Sequence, residues 1–550
     1  MVVKRPWTAL PSSVPTVLVP VLAPVLVPVL VPVLVPVIAM TVIGLWGIDR
    51  GGMWRDEAVT FQVARRSLPQ IWHLLHSVDA VHGLYYLLMH PVLTLHADEV
   101  VLRLPSLCAA AATAGLVAAL GVRLARPRVG LWAGLLYAVT PMTGHFAQEG
   151  RSYALVAAGA AGATLLLVRA VEAVETDARA RARIRIRGGI RRRGRVSVWC
   201  AYGGVVAGTA LLHEMAVLLL LAHAATLALV RPPRGVWWNW ARAAGAVLLV
   251  LLPLALVSSG QAGQVAWLRP PGTGTVEGLL RSFAGPTRLV LGPYLLLIAL
   301  ALRVPLARRG ELSLPAVALP LLVLPPAVLL AVSRHWPLFD DRYVLYALAG
   351  APLLAAAGAD RLAGAVARGS RARGLRTRGP QVRYGGTLLG VLAIGLAFVS
   401  QLPVLREDRD PARRPDNLAA VSAAAARRMS PGDPVLFLPA IGRRAAVAYP
   451  AGFRGTRDIA LREPGPVSGT LYGRETGPGE LRRRLDGLDR LWVVAEPYAL
   501  RSAWWPPEPT ERVKLSVVGE EFVRRAEFVR EGSVLRLYER RARSAGAVSR

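Results

Sequence analysis

Long apolar runs separated by short polar connections dominate the sequence between about residues 29 and 404. A helix needs about 20 residues to cross the roughly 30 Å hydrocarbon core of a bilayer, and many of these runs approach that length. The pattern therefore predicts a polytopic α-helical membrane protein with about eleven transmembrane helices. The predicted spans are 29–48, 104–124, 129–143, 153–171, 198–212, 215–230, 241–258, 288–302, 314–331, 343–358 and 387–402.

A low-complexity segment of Val, Pro and Leu occupies residues 1–28, upstream of the first predicted span. Prolines recur there and into the span at every fourth position, from Pro20 to Pro36. Each proline inside a helix removes a backbone hydrogen bond, so we expect a poor helix upstream and a kink at the start of the first span. The apolar run is too long for a cleavable signal peptide and has no convincing small-residue cleavage site.

The basic residues predict the orientation of the spans. The formal net charge is +31, and the arginines cluster in alternate connections, as in residues 179–195 and 361–383. Cytoplasmic loops carry such an excess of basic residues, so these connections and the N-terminus are predicted to face the cytoplasm of a bacterial cell. This distribution argues against a nucleic-acid partner. An odd number of spans then places the region after about Gln401 outside the cell.

Residues 405–550 are not membrane-like and are long enough for one soluble domain. The pattern predicts a helix over 417–429, strands over 435–438 and 491–495, and a closing hairpin over 526–538 that turns at Glu531-Gly532. We therefore predict a small extracytoplasmic α/β or α+β domain behind a transmembrane domain that covers residues 29–404.

Two adjacent carboxylates, Asp56 and Glu57, begin the first outer loop, residues 49–100. A carboxylate at a membrane boundary is partly desolvated and is a better proton acceptor than a fully exposed one. Asp56 could therefore accept the proton of an acceptor hydroxyl. The alternative is that Arg55, Asp56 and Glu57 only fix the end of the span by interfacial ion pairing.

Further polar residues gather in the loops on the same predicted face. Arg151 and Arg342 carry planar guanidinium groups suited to phosphate, and Glu149 could orient Arg151 or bind a sugar hydroxyl. An ordinary polar turn or an interfacial anchor would contain the same residue types. The candidate donor-binding or phosphate-binding residues are Arg55, His82, Tyr85, Tyr86, Gln148, Glu149, Arg151, Arg342 and Tyr343.

The sequence offers little for metal or redox chemistry. Cys108 and Cys200 are the only cysteines, so no disulfide framework or cysteine-based metal site is indicated. His213-Glu214 resembles half of a zinc-protease motif, but Val217 stands where the second histidine is needed. The sequence requires no cofactor, although a role for a divalent cation stays open.

Several short motifs together resemble a known family. They occur in a consistent order on the predicted outer face: Trp54-Arg-Asp-Glu-Ala58, His82-Gly-Leu-Tyr-Tyr-Leu-Leu88, Leu102-Arg-Leu-Pro-Ser106, Gln148-Glu-Gly-Arg-Ser-Tyr153 and Asp341-Arg-Tyr343. This set resembles the bacterial protein-mannosyltransferase-like, or glycosyltransferase family 39-like, membrane enzymes of the GT-C superfamily. The proline repeats at the N-terminus depart from that pattern, and no acceptor-recognition motif is matched.

The resemblance implies transfer of mannose or a similar sugar from a polyprenyl-phosphate donor, with inversion, to an acceptor in protein, lipid or cell-wall glycan. It places the catalytic carboxylate at Asp56, with Glu57 beside it, and the donor site along residues 148–151. A transporter or flippase for lipid-linked sugars is the alternative, but it predicts ionisable residues at mid-bilayer and internal repeats, neither of which is clear. An assembly scaffold acting through the C-terminal domain is a third hypothesis, under which Asp56 would be dispensable.

Overall fold

The computed structural model describes residues 18–183, 190–303, 310–372, 380–413, 416–530 and 532–541. A helical part comes first and a smaller part built on a mixed sheet follows it. The helices of the first part are α1 (Leu18–Leu45), α2 (Arg55–Ala64), α3 (Leu68–Leu75), α4 (Gly83–Leu95), α5 (Glu99–Leu124), α6 (Pro127–Val139), α7 (Pro141–Ala147), α8 (Tyr153–Arg183), α9 (Ile190–Leu212), α10 (Leu219–Val230), α11 (Arg234–Gly260), α12 (Thr273–Ala284), α13 (Arg288–Leu302), α14 (Leu314–Val332), α15 (Gly350–Ala372) and α16 (Pro380–Asp408).

Six helical segments within the described residues are long and apolar enough to cross a membrane. They are Glu99–Leu124, Tyr153–Val174, Arg234–Gly260, Leu314–Val332, Asp341–Gly369 and Gly385–Asp408. A seventh candidate is the pair α12 and α13, which meet at an angle of 83°. The helices follow the predicted apolar runs, and a membrane-embedded helical protein is confirmed; the count of eleven crossings stays a prediction.

The N-terminal proline repeats depart from the expected poor helix, because α1 already begins at Leu18. Two glycines allow neighbouring helices to approach α1 closely. A Cβ at Gly134 of α6 would lie 2.6 Å from Pro36, and one at Gly115 of α5 would lie 2.8 Å from Val37. Such close contacts on α5 and α6 stabilise α1 despite the backbone hydrogen bonds that the prolines remove.

The strands of the C-terminal part are β1 (Pro434–Leu438), β2 (Arg457–Asp458), β3 (Leu461–Glu463), β4 (Arg474–Glu475), β5 (Arg490–Ala495), β6 (Phe522–Arg530) and β7 (Ser533–Arg540). Its helices are α17 (Leu418–Ala426), α18 (Arg444–Ala448), α19 (Gly465–Ser468), α20 (Pro478–Asp486) and α21 (Pro509–Glu521). Five strands form one sheet in the order β2-β1-β5-β7-β6, and β3 and β4 form a separate two-stranded sheet. Strand β1 runs parallel to β2 and β5, whereas β7 runs antiparallel to β5 and β6.

The predicted elements of the C-terminal part are present at the predicted places. Asn417 caps α17 by accepting a hydrogen bond from the Ala420 backbone N–H at 3.0 Å. Gly532 adopts a φ of +79° between β6 and β7, where a glycine is favoured over residues with a Cβ. Glu531, the other predicted turn residue, lies outside the described residues.

The first loop packs against the C-terminal part. The Tyr449 hydroxyl donates to Glu99 and accepts a hydrogen bond from the Met53 backbone N–H, both at 2.7 Å. The Arg66 guanidinium donates to the backbone oxygens of Gly465 and Leu471. Helices α2 and α3 are therefore held between the helical bundle and the C-terminal part, which fixes the start of α2.

Candidate active site

Asp56 and Glu57 lie in the first turn of α2, where carboxylates interact favourably with the helix dipole. Successive residues of an α-helix point about 100° apart because the helix has 3.6 residues per turn. The two adjacent carboxylates consequently face different surroundings, and each must be considered by itself.

Glu57 lies in a buried and fully bonded environment. Its two carboxylate oxygens accept hydrogen bonds from Arg103 at 2.8 and 2.9 Å, and Oε1 also accepts the Gly150 backbone N–H at 3.0 Å. Arg103 in turn donates to the backbone oxygen of Ile48 at 2.8 Å. A carboxylate held by a bidentate guanidinium inside the protein is a structural link. Both carboxylate oxygens of Glu57 therefore have partners in this structure, and its predicted catalytic role stays a prediction.

Asp56 contacts a different arginine, far away in the sequence. Its Oδ2 accepts a hydrogen bond from Arg342 at 3.0 Å, and both side chains are partly buried. Arg342 Nε also lies 3.4 Å from Asp340. The structure thus brings together the predicted base and one of the predicted phosphate-binding arginines.

Aromatic rings surround the Arg342 guanidinium on several sides. The ring centres of Trp54, Tyr153, Trp267 and Tyr343 lie 5.6 to 6.0 Å from its central carbon. Cation–π contacts of this kind hold a guanidinium in place while leaving its N–H donors available. Tyr343, a predicted site residue, is therefore part of the site as a wall of the Arg342 pocket.

Arg151 is buried and contacts His82, another of the predicted site residues. One of its terminal nitrogens lies 2.5 Å from Nε2 of His82. A guanidinium only donates hydrogen bonds, so Nε2 must accept and the proton of the neutral ring must be on Nδ1. Burial and the nearby Arg151 charge lower the pKa of His82 well below its ordinary value, which keeps the ring neutral.

The ring of His213 connects the Arg151–His82 pair to the aromatic pocket around Arg342. The His213 ring centre lies 6.1 Å from that of His82 and 4.6 Å from that of Tyr343. Burial lowers the pKa of His213 to about 3, and the charges of Arg151 and Arg342 act in the same direction. Asp56, Arg342, His213, His82 and Arg151 therefore belong to one continuous cluster.

Several buried polar atoms of this cluster have no hydrogen-bond partner among the described residues. They are Nε of Arg151 and of Arg342, Nδ1 of His82 and of His213, the Ser152 hydroxyl and both carboxylate oxygens of Glu149. Buried polar groups in folded proteins are nearly always hydrogen-bonded, because leaving one unpaired costs about 1–3 kcal/mol. A concentration of such groups in one place is typical of a site that binds a polar ligand.

Glu149 is the most unusual member of this cluster. Glu149 is only 4% exposed, and neither of its carboxylate oxygens accepts a hydrogen bond from any described residue. Burial raises the pKa of Glu149 to about 7, with His145 and Arg342 opposing the shift. Glu149 therefore exchanges a proton near neutral pH and is able to accept or donate a hydrogen bond.

Two other predicted residues have structural partners. Gln148 donates two hydrogen bonds of 2.8 Å to the backbone oxygens of Gly44 and Trp46, at the end of α1. Arg55 donates to Asp416 of the C-terminal part at 2.7 Å. Both amide donors of Gln148 are used by these contacts, whereas Arg55 is 51% exposed and binds Asp416 through Nε and one terminal nitrogen. The predicted donor-binding roles of Gln148 and Arg55 stay predictions.

Tyr85 and Tyr86 lie behind the cluster and are fully buried. The Tyr86 hydroxyl donates to Asp79 at 2.5 Å, and Arg151 lies close enough to influence both groups electrostatically. Tyr86 thus acts on the site through Asp79 and Arg151, whereas the buried Tyr85 hydroxyl has no hydrogen-bond partner among the described residues.

Sequence reasoning gave no role to Arg103, Asp79 or His213. Arg103 lies within the Leu102–Ser106 motif, and an arginine inside an apolar helix could have indicated a buried carboxylate partner. His213 ends an apolar run on the predicted outer face, and the sequence indicates no partner for it there. No group of three or more His, Cys, Asp or Glu residues in the described ranges is arranged to hold a metal ion.

The comparisons with known proteins agree with this architecture. No protein-family model and no curated protein matches the sequence. Among solved structures, ArnT from Cupriavidus metallidurans matches with a TM-score of 0.54 in its apo state, at 12% identity over 92% of this chain and 97% of that chain. ArnT bound to undecaprenyl phosphate matches equally well, with 13% identity.

A second solved protein gives the same result. The archaeal oligosaccharyltransferase AglB from Archaeoglobus fulgidus, in complex with an inhibitory peptide and a dolichol-phosphate, matches with a TM-score of 0.50 and 11% identity over 94% of this chain and 75% of that chain. The chain shares the overall fold of these two proteins. Identities this low establish the shared fold, and the chemistry must be argued from the site itself.

Proposed function

We propose that this protein is an inverting glycosyltransferase that moves a sugar from a polyprenyl-phosphate donor to an acceptor hydroxyl. The observation that carries the proposal is the convergence of Asp56, Arg342 and Arg151 in one partly buried cluster with unpaired polar atoms. This combination supplies a proton acceptor and two cations, which are the groups that transfer from a sugar phosphate needs.

The proposed reaction forms one glycosidic bond and breaks one sugar–phosphate bond. The acceptor oxygen attacks the anomeric carbon while its proton passes to Asp56, and the bond from that carbon to the phosphate oxygen breaks with its electron pair. The leaving polyprenyl phosphate needs no proton if Arg151 and Arg342 hold its growing negative charge. One carboxylate therefore suffices, in contrast to the carboxyl pair of most glycosidases.

The remaining groups of the cluster are proposed to hold the donor. His82 presents an Nδ1–H donor beside Arg151, and Glu149 offers two carboxylate oxygens to sugar hydroxyls. The Tyr343 and Tyr153 rings offer apolar faces next to Arg342. We propose mannose or a similar hexose or pentose as the transferred sugar, and protein, lipid or cell-wall glycan as the acceptor.

Location in the membrane fits the same proposal. A polyprenyl carrier keeps its tail in the hydrocarbon and presents its sugar at the interface, so a transferase for it is expected to be a membrane protein with polar residues at one edge. The fold shared with an undecaprenyl-phosphate-bound structure supports a lipid-phosphate donor. The arginine distribution supports an extracytoplasmic site in the bacterial plasma membrane.

The test is a donor panel with the purified full-length protein. Undecaprenyl-phosphate mannose, glucose and arabinose are each incubated with the enzyme and a cell-envelope fraction, and free undecaprenyl phosphate is measured. At least one donor should release the carrier and label the acceptor fraction, whereas Asp56→Asn should release the carrier about 10²- to 10⁴-fold more slowly. Carrier binding without release from any donor would favour the flippase alternative and contradict the transferase proposal.

A further inference from the structure

The ion pair between Asp56 and Arg342 conflicts with the roles that the two residues have in the proposed reaction. The base should face the acceptor hydroxyl, and the arginine should face the donor phosphate, yet they bind each other at 3.0 Å. While this contact is made, Arg342 occupies one carboxylate oxygen of Asp56, which is then not available to accept the proton of an acceptor hydroxyl. In this structure Arg342 therefore holds Asp56 away from its proposed role as the base.

The surroundings of Arg342 favour a change of partner. The four aromatic rings around the guanidinium restrict its position, and its Nε makes no hydrogen bond within the described part of the chain. Asp340 lies on the other side of the guanidinium at 3.4 Å. A small rotation about the end of the side chain would redirect its donors without removing Arg342 from its pocket.

We propose that the donor phosphate and Asp56 compete for Arg342, so that binding of the donor releases the base and transfer starts only with the donor in place. This inference rests on the proposed function. Charge-assisted hydrogen bonds from a guanidinium to phosphate are strong and bidentate, so a phosphate is able to displace a single carboxylate contact. The competition makes the order of binding donor first and acceptor second.

The same competition links product release to the proton. Once Asp56 has taken the acceptor proton, it is neutral and no longer attracts Arg342, which stays on the leaving phosphate. Loss of that proton to solvent restores the carboxylate, and the carboxylate then competes again for Arg342. Deprotonation of Asp56 therefore favours release of polyprenyl phosphate.

The test is a double-mutant cycle on the binding of undecaprenyl phosphate to the full-length protein in detergent. If Asp56 competes with phosphate for Arg342, Asp56→Asn binds the lipid about three- to tenfold more tightly than wild type. The affinity rises because the phosphate no longer has to displace the Asp56 carboxylate from Arg342. Arg342→Gln weakens binding at least about tenfold. In the Arg342→Gln background, the added Asp56→Asn change has no further effect.

Plain charge repulsion gives a different result from competition. If Asp56 only repels the phosphate, Asp56→Asn tightens binding equally in both backgrounds, and the competition proposal is overturned. An unchanged affinity of Asp56→Asn also overturns it. Arg334→Gln removes an exposed arginine from the same connection and should leave the affinity unchanged.

Two further measurements separate the remaining outcomes. Arg342→Lys keeps the positive charge in case Arg342→Gln does not fold, and in this background Asp56→Asn should still tighten binding. Wild type that binds no undecaprenyl phosphate contradicts both the donor assignment and the competition. Wild type that binds the lipid and transfers sugar, with no gain in Asp56→Asn, leaves the proposed function intact and refutes the competition alone.

Discussion

The surroundings of Glu57 and of the neighbouring Asp56 cluster differ in how completely their polar groups are paired. Around Glu57, the carboxylate, the Arg103 guanidinium and the Gly150 backbone N–H bind one another inside the protein. Around Asp56, one contact to Arg342 is accompanied by unpaired buried atoms on Glu149, His82 and Arg151. Both regions are rich in charge, and only the second retains capacity to bind another molecule.

This difference separates structure from chemistry at two consecutive residues. A buried ion pair with all its hydrogen bonds made holds elements together, and removing one partner leaves an uncompensated charge. A partly satisfied cluster instead lowers stability and is kept where a ligand completes it. Glu57 and Asp56 are therefore expected to respond differently to the same acid-to-amide substitution.

The largest effect is expected for Asp56→Asn. It should reduce sugar transfer by about 10²- to 10⁴-fold, the contribution of a positioned general base. Thermal unfolding should change less than in Glu57→Gln, since the Asp56 side chain is 23% exposed and Arg342 keeps Asp340 as a neighbouring carboxylate. Transfer assays and unfolding curves on the same preparation test both statements. Normal transfer by Asp56→Asn would remove the proposed base.

The reverse pattern is expected for Glu57→Gln. The substitution leaves the buried Arg103 charge without its counter-ion, which typically costs about 3–5 kcal/mol. The unfolding temperature in detergent should fall by many degrees, and activity should be lost together with the fold. Glu172→Gln breaks the more exposed pair with Arg123 and is expected to cost about 1 kcal/mol or less. A stable but inactive Glu57→Gln enzyme would place Glu57 among the catalytic residues.

Much of the fold was predictable because apolar runs and arginine-rich connections determine where helices can lie in a bilayer. The strands at 435–438 and 491–495 were likewise predictable from short apolar runs between turns. The packing of the first loop on the C-terminal part was not. It depends on pairs such as Arg55–Asp416 and Met53–Tyr449, whose partners are hundreds of positions apart and have no local pattern.

The site was predictable as a set of residue types and not as a set of pairs. The sequence indicated Asp56, Arg151 and Arg342 because cations and a carboxylate recur on one predicted face. It could not show that Gln148 binds backbone oxygens or that Glu57 binds Arg103, since either side chain could have faced a ligand. Only the three-dimensional structure shows which donors and acceptors are left unpaired.

The pH dependence of protein stability measures the cost of burying the Glu149 carboxylate without a hydrogen-bond partner. Its pKa is raised to about 7, so the folded state binds a proton more tightly than the unfolded state, where the value is near 4.5. The contribution of Glu149 to the free energy of unfolding is fully present below pH 4.5 and is lost as the pH rises through 7. This contribution is about 3 kcal/mol at most, because one pKa unit corresponds to about 1.4 kcal/mol.

Glu149→Gln should remove this pH dependence. Unfolding curves between pH 4.5 and 8 should show wild type losing stability relative to the variant as the pH rises. Glu277→Gln, at an exposed glutamate paired with Arg281, should follow wild type. Parallel curves for wild type and Glu149→Gln would mean that Glu149 is ionised and has a partner in the folded protein.

The smallest effect is expected for Arg55→Gln, which tests where the boundary between the two regions lies. Arg55 has a side chain that is 51% exposed, and its partner Asp416 also lies 3.5 Å from Arg444, so the loss should be about 1 kcal/mol or less. Transfer should fall far less than in Asp56→Asn, because Arg55 pairs with Asp416 and the proposed base and phosphate-binding arginines stay in place. Arg50→Gln, an exposed arginine just before α2, is the matched control for loss of one positive charge. If Arg55→Gln loses transfer as completely as Asp56→Asn while Arg50→Gln does not, Arg55 contacts the donor, and the catalytic region extends to the start of α2.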